Sequence, residues 1–133
     1  MSTHHLHLFL PALLALAFAG FACDSGPSCA EVVTHIDAAH GLTGETAGKT
    51  ALRKVSSALK KTGDAVNAIA LKDAKMDGLK SSYSLKLAEA HGAYTQAATY
   101  SDAKERKEAV MAALKLHQSA IQAGDEFKAR CKP

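Results

Sequence analysis

Apolar residues recur at spacings of three and four along most of this 133-residue chain, and this spacing constrains the fold more than any other feature. Residues spaced in this way lie along one face of an α-helix and can pack against other helices. No segment alternates in Val, Ile, Thr or aromatic residues, which is the pattern expected of a strand. The sequence therefore predicts an all-α protein. The three longest stripes are Leu52, Val55, Leu59, Thr62, Val66 and Ile69; Leu79, Tyr83, Leu87, Ala90, Tyr94 and Ala97; and Val110, Leu114, His117, Ile121, Gly124 and Phe127.

Capping and turn residues divide the chain into four predicted helices. The first helix is predicted to begin at a capping box, Ser28-Cys29-Ala30-Glu31, and to end at Gly41. The second is predicted to begin near Thr43 or Thr46, and a turn at Asp77-Gly78 precedes the third. The fourth is predicted to begin at Ser101-Asp102, with Glu105 completing the cap. The stripe from Leu52 to Ile69 keeps its phase across Gly63, so one continuous helix is expected there; a break at Gly63, which also resembles a C-terminal cap, is the alternative. Short connections place consecutive helices antiparallel, which predicts an up-down four-helix bundle.

The first 22 residues differ from the rest of the chain because they contain no Asp, Glu, Lys or Arg. Leu8 to Ala22 is a run of apolar and small residues, interrupted by Pro11 and shorter than the roughly 20 residues that span a bilayer. This pattern is typical of a secretory signal peptide, although the preceding residues lack Lys and Arg. We expect residues 1–22 to direct export; an uncleaved N-terminal anchor is the alternative.

The end of this leader, Gly20-Phe21-Ala22-Cys23, resembles the lipobox of bacterial lipoproteins. Ala22 and Cys23 match that pattern, whereas Gly20 and Phe21 depart from it. The resemblance implies that Cys23 is acylated on sulfur and becomes the mature N-terminus. Residues 23–28 would then be the lipidated cysteine and a short tether, and residues 29–133 the bundle domain. Ordinary cleavage after Ala19 or Ala22 would instead leave Cys23 as a free thiol.

Cysteine number favours lipidation over a free thiol. The chain has three cysteines, Cys23, Cys29 and Cys131, an odd number for an exported protein. Acylation of Cys23 removes one of them and leaves Cys29 and Cys131 as a pair. An up-down bundle brings the start of its first helix and the end of its fourth to the same end, so this pair is expected to form a disulfide.

Two histidines suggest a metal or haem site as an alternative function. His40 lies 11 residues after Cys29, and His117 lies 14 residues before Cys131. At 1.5 Å per residue, a Cys29–Cys131 disulfide would bring the two histidines to axial levels that differ by about 4–5 Å. Bundle cores hold metals and haem in this way. The simpler interpretation is that His117 is a core histidine and His40 a solvated one; no cofactor is expected.

No arrangement of residues predicts catalysis or nucleic-acid binding. There is no Gly-x-Ser-x-Gly motif and no paired carboxylates, and the disulfide would consume two thiols. The basic residues are interspersed with acidic ones, and export argues against nucleic acid as a partner. We therefore expect a non-enzymatic envelope protein on the periplasmic face of a membrane, held by its lipid anchor and available to an envelope protein partner. A helical protein that folds only on lipid is a further alternative.

Overall fold

The computed structural model describes residues 27–42 and 48–131, and these residues form four helices without a strand among them. The helices are α1 (Pro27–His40), α2 (Gly48–Asn67), α3 (Ala74–Ala97) and α4 (Ala103–Arg130). The predicted signal peptide, Cys23 and the tether up to residue 26 lie outside the described residues, as do Thr43 and Thr46. The all-α prediction is confirmed.

The four helices pack as a closed, up-down bundle. α3 packs extensively against both α2 and α4, while α1 contacts α2 and α4 and completes the ring. At 1.5 Å per residue, α1 is about 21 Å long and α4 about 42 Å. Because α1 has 14 residues and α4 has 28, α1 covers only part of the bundle. The predicted arrangement is confirmed, with one helix much shorter than the others.

The core consists mainly of aliphatic side chains and alanine, with three aromatic rings at its centre. Tyr83, Tyr94 and Phe127 are each at most 1% exposed. α2 runs unbroken across Gly63, and its predicted stripe is buried at Leu52, Val55, Leu59 and Val66. The buried face of α3 contains the predicted Tyr83, Leu87, Ala90, Tyr94 and Ala97.

The buried face of α4 is rotated from the predicted one. Leu114 was expected in the core but is 37% exposed, and Ile121 is only partly buried. Ala113 and Ala120 are fully buried instead. A methyl side chain lets helix backbones approach closely, so α4 buries these alanines and leaves longer side chains at the margin. The prediction for Leu114 was wrong because three-four spacing does not distinguish it from the neighbouring Ala113 as the buried position.

Two predicted boundaries are also corrected. α1 begins at Pro27, one residue before the expected cap at Ser28; proline suits the first helical position because its φ is already helical and no N–H is lost there. The turn expected at Asp77-Gly78 lies inside α3, which starts after Asp73. The Asp73 carboxylate accepts a hydrogen bond from the Met76 backbone N–H at 2.8 Å and caps the helix. The predicted cap at Asp102 is confirmed.

A buried lysine of α3 contacts the segment that connects α2 to α3. Lys80 is 6% exposed, and its ammonium donates to the Ile69 carbonyl at 2.6 Å. It also lies 3.1 Å from the Asp77 carboxylate. The aliphatic part of the lysine is buried while its charge is satisfied by a carbonyl just beyond the end of α2. Lys80 therefore fixes the angle at which the chain passes from α2 to α3.

Candidate functional site

The predicted disulfide joins the first turn of α1 to the residue that follows α4. The Cα atoms of Cys29 and Cys131 are 5.9 Å apart, with 102 residues of sequence separation. The Cys29 side chain is fully buried. Further along α1, the Lys128 ammonium of α4 donates to the Asp37 carboxylate at 2.5 Å. This hydrogen bond raises the pKa of Lys128. Covalent and charged contacts therefore hold α1 along the last turns of α4.

Gly124 of α4 lets α1 approach closely. A Cβ atom at this position would lie 2.9 Å from Ile36 Cγ2, 3.1 Å from Tyr83 Cε2 and 3.4 Å from His40 Cε1. The first distance is shorter than carbon atoms tolerate and the second is very tight, so no larger side chain fits without movement of its neighbours. The Tyr83 ring lies in this packed region, and burial raises the pKa of its hydroxyl. Three helices thus meet at a single glycine.

His117 lies in the core near this glycine and is 3% exposed. Its Nδ1 atom pairs with the Tyr94 hydroxyl at 2.9 Å, and the two rings are nearly perpendicular with centroids 5.7 Å apart. Burial lowers the pKa of His117 below 6.5, and the charge of nearby His40 lowers it further. The imidazole is therefore held neutral in the core at neutral pH.

His40 and His117 act on each other electrostatically, yet each ring is already hydrogen-bonded. His40 Nδ1 pairs with the Ile36 carbonyl at 2.7 Å, and its Nε2 lies 3.1 Å from the Asp125 carboxylate. Across residues 27–42 and 48–131, no three His, Cys, Asp or Glu side chains are grouped so as to hold a metal ion. Within the described part of the chain, the two histidines therefore have no third ligand beside them.

A second region, which the sequence did not reveal, is a cavity of about 200 Å³ between α2 and α3. Three small residues line it, Gly63 on α2 and Ser84 and Ala88 on α3. Leu59 forms an apolar wall. The other residues at the cavity are polar, namely Lys60, Asp64, Asn67 and His91. Lys60 and Asp64 are paired with each other at 2.6 Å and are largely exposed.

Ser84, one of the residues at this cavity, has an unusual hydroxyl group. Ser84 is 6% exposed, and its Oγ atom is buried without a hydrogen-bond partner. A buried hydroxyl without a partner costs about 1–3 kcal/mol. Gly63 adds a further cost of about 1 kcal/mol relative to alanine in a helix interior. Two unfavourable features therefore lie side by side.

One end of the cavity is bounded by a hydrogen-bond network that joins α2 to α3. The buried Ser56 hydroxyl lies 2.7 Å from His91 Nδ1 and 2.6 Å from the Thr95 hydroxyl, and it donates to the His91 carbonyl at 3.1 Å. His91 Nδ1 is also 2.9 Å from the Ser56 carbonyl. The serine hydroxyl is 4% exposed and fully engaged, so it acts as a clamp between helices.

Sequence reasoning missed this cavity because the signal depends on two helices together. Small residues at Gly63, Ser84 and Ala88 are visible in the sequence, but only the register of α2 against α3 brings them face to face. The cysteine pair needed no such information, since the up-down topology alone places it at one end.

Comparison of the chain with known protein families, with curated proteins and with solved structures finds no match in any of the three. Among the helices of residues 27–42 and 48–131, none is both long and apolar enough to cross a membrane.

Proposed function

We propose that this protein is a lipid-anchored structural or interaction module of the bacterial cell envelope, with Cys23 as its site of acylation. The supporting observation is the pairing of Cys29 with Cys131. This pairing uses two of the three cysteines in the chain, and the third is the one that ends the lipobox-like segment. An odd cysteine in an exported protein needs an explanation, and acylation provides one.

The disulfide is also consistent with export. Structural disulfides persist in oxidising compartments such as the periplasm and are rare in the bacterial cytosol. The Cys29 side chain is fully buried and Cys131 is partly buried, so the bond lies at the edge of the packed core. An oxidising compartment therefore agrees with the signal peptide interpretation of residues 1–22.

An anchor at Cys23 would orient the bundle. Five residues separate Cys23 from Cys29, so the two could be at most about 20 Å apart even in an extended chain. The end of the bundle that holds the disulfide would face the membrane. The helices would project away from it and expose their sides to an envelope protein partner. Met111 and Leu114 of α4, one turn apart and 53% and 37% exposed, are candidate contact residues.

The decisive experiment measures the intact mass of the protein made in an envelope-bearing bacterial host, before and after reduction. We expect a chain that starts at Cys23, carries acyl groups and gains two hydrogens on reduction. The variant Cys23→Ser should lose the acyl mass, and Ser25→Ala, two residues away, should retain it. An unlipidated mass, or one that keeps residues 1–22, would overturn the proposal.

The same preparation tests the alternative of a metal or haem held by His40 and His117. Visible-region absorption or a stoichiometric metal content would favour that function over a purely structural role. Two observations argue against the metal or haem site. Both histidine rings are already hydrogen-bonded, and the described residues place no third ligand with them.

A further inference from the structure

The exposed face of α2 carries an excess of positive charge. This helix has five basic residues and one acidic residue, Asp64, whereas the net charge of the whole chain is +3. Asp64 is paired with Lys60. The side chains of Arg53, Lys54 and Lys61 are exposed and form no ion pair within residues 27–42 and 48–131. The helix therefore presents cations to solvent that its described neighbours do not neutralise.

These cations form two columns with the spacing of a helical repeat. Arg53 and Lys60 are seven residues apart, and so are Lys54 and Lys61. Residues seven apart lie nearly above one another on an α-helix, about 10 Å apart along its axis. Ser57, an exposed residue with a short side chain, lies between the two columns. We call this surface, with its low centre and its four cations, the basic strip.

A second helix with acidic residues at the same repeat fits the basic strip. Glutamates at positions i and i+7 of a helix are also about 10 Å apart, so they would lie opposite the cations of one column. Charged residues that flank a helix–helix contact determine partner choice and orientation. A lipid surface fits less well, because helices that lie on lipid insert Trp, Phe or Leu. The exposed residues along the centre of the strip, Thr50 and Ser57, are polar.

We propose that the basic strip docks an acidic helix of a partner protein. This inference rests on the proposed role as an interaction module, but it does not require acylation of Cys23. Each cation is exposed, so one ion pair contributes little and affinity depends on several pairs formed together. Salt screens exposed charges and therefore weakens the complex.

Two helical peptides of identical composition test the docking geometry. Both are alanine-based and carry four glutamates. In the aligned peptide the glutamates form two i, i+7 columns on one face, and in the dispersed peptide they are spread around the helix. Fluorescence anisotropy measures binding to the full-length protein at low and high salt. We expect the aligned peptide to bind several-fold more tightly, with an affinity that falls as salt is added. Equal affinities would overturn the proposal, because net charge alone would explain them.

Two pairs of lysine variants with the same loss of charge locate the site. Lys54→Gln combined with Lys61→Gln should weaken binding of the aligned peptide several-fold, because it removes one column of the strip. Lys107→Gln combined with Lys115→Gln, at two exposed lysines of α4, should leave binding unchanged. All four positions are exposed, so unchanged thermal midpoints are expected and confirm folding. An equal loss of binding for both pairs would refute the assignment to α2.

Three further measurements separate the proposal from its alternatives. Asp64→Asn should strengthen peptide binding, because it frees Lys60 from its present partner. Cys23→Ser should bind the aligned peptide as tightly as the unaltered chain does, so failure of the anchor and failure of the docking site give different results. Vesicles of anionic phospholipid should not bind the Cys23→Ser protein. Vesicle binding that requires Lys54 and Lys61 would assign the strip to lipid and overturn the proposal.

Discussion

The side of the bundle that α1 covers and the side between α2 and α3 use glycine in opposite ways. At Gly124 three helices converge so tightly that a single methyl group would meet Ile36 at 2.9 Å. At Gly63 the neighbouring side chain is 3.8 Å away, and the space beside it remains open. The comparison teaches that a buried glycine is evidence of close packing only when its neighbours occupy the missing volume. Substitution of Gly124 is therefore expected to reduce stability, whereas substitution of Gly63 is expected to be tolerated.

Removal of the disulfide should destabilise the α1 side of the bundle more than any other change. The double variant Cys29→Ser and Cys131→Ser should lose about 4–5 kcal/mol of unfolding free energy on the loop-entropy model. The loss is large because the bond joins residues 102 apart in sequence. Chemical denaturation measures it, with the reduced wild-type chain as the control. Equal denaturation midpoints for variant and wild type would show that packing alone holds α1.

Replacement of each glycine by alanine compares the α1 side with the α2–α3 side directly. Gly124→Ala should cost about 1–3 kcal/mol, because its Cβ would overlap Ile36 and Tyr83. Gly63→Ala should instead stabilise the protein by about 0.5–1 kcal/mol, because alanine favours the helix and meets no close atom. Thermal or denaturant unfolding of the two single variants gives the comparison. The same sign of effect for both would contradict the distinction drawn between them.

Acidification should weaken the α1 side through His117. The folded pKa of this histidine lies below the unfolded value of 6.5, because burial and then His40 oppose its protonation. The unfolded chain therefore binds more protons as pH falls below 6.5, and stability decreases with a slope of at most about 1.4 kcal/mol per pH unit. The stability that the neutral His117 contributes is fully present above pH 6.5.

Unfolding free energies measured between pH 7 and pH 5 test this prediction. His117→Gln should show a shallower decline than wild type, while His35→Gln, on the less buried part of α1, should follow the wild-type curve. A wild-type stability that rises on acidification would refute the assigned direction.

Removal of one ion pair on each side should have the smallest effect on stability and refines the comparison of the two sides. Asp125→Asn removes the partner of His40, and Asp64→Asn removes the partner of Lys60 on the other side. Both carboxylates are more than half exposed, so each change should cost less than about 1 kcal/mol and lose its effect in high salt. Denaturation at low and high salt measures this. A much larger loss for Asp125→Asn would mean that charge holds α1.

Periodicity was sufficient to predict most of the fold. The stripe from Leu52 to Val66 and the cap at Asp102 follow from local rules, because apolar spacing and capping chemistry act within one helix. Pairing of Cys29 with Cys131 required only the up-down topology in addition. These features are encoded over short distances or by simple connectivity.

The remaining features depend on how helices meet. Leu114 was predicted to be buried, but the rotation of α4 places Ala113 in the core instead, and no local pattern reveals that rotation. Gly63 and Ser84 form a cavity only because α2 and α3 share a particular register. The hydrogen bonds of His40 to Asp125 and of His117 to Tyr94 depend on side-chain positions that spacing does not encode.

The disulfide gives the described domain the mechanics of a closed ring. Residues 29–131 are covalently joined at their two ends, with the first residues of α1 and the last of α4 at the junction. A pulling force applied at residue 29 and residue 131 would pass through one covalent bond and bypass the four helices. The helices would then carry no tension, so the bundle would keep its shape under a load that would unravel an open chain.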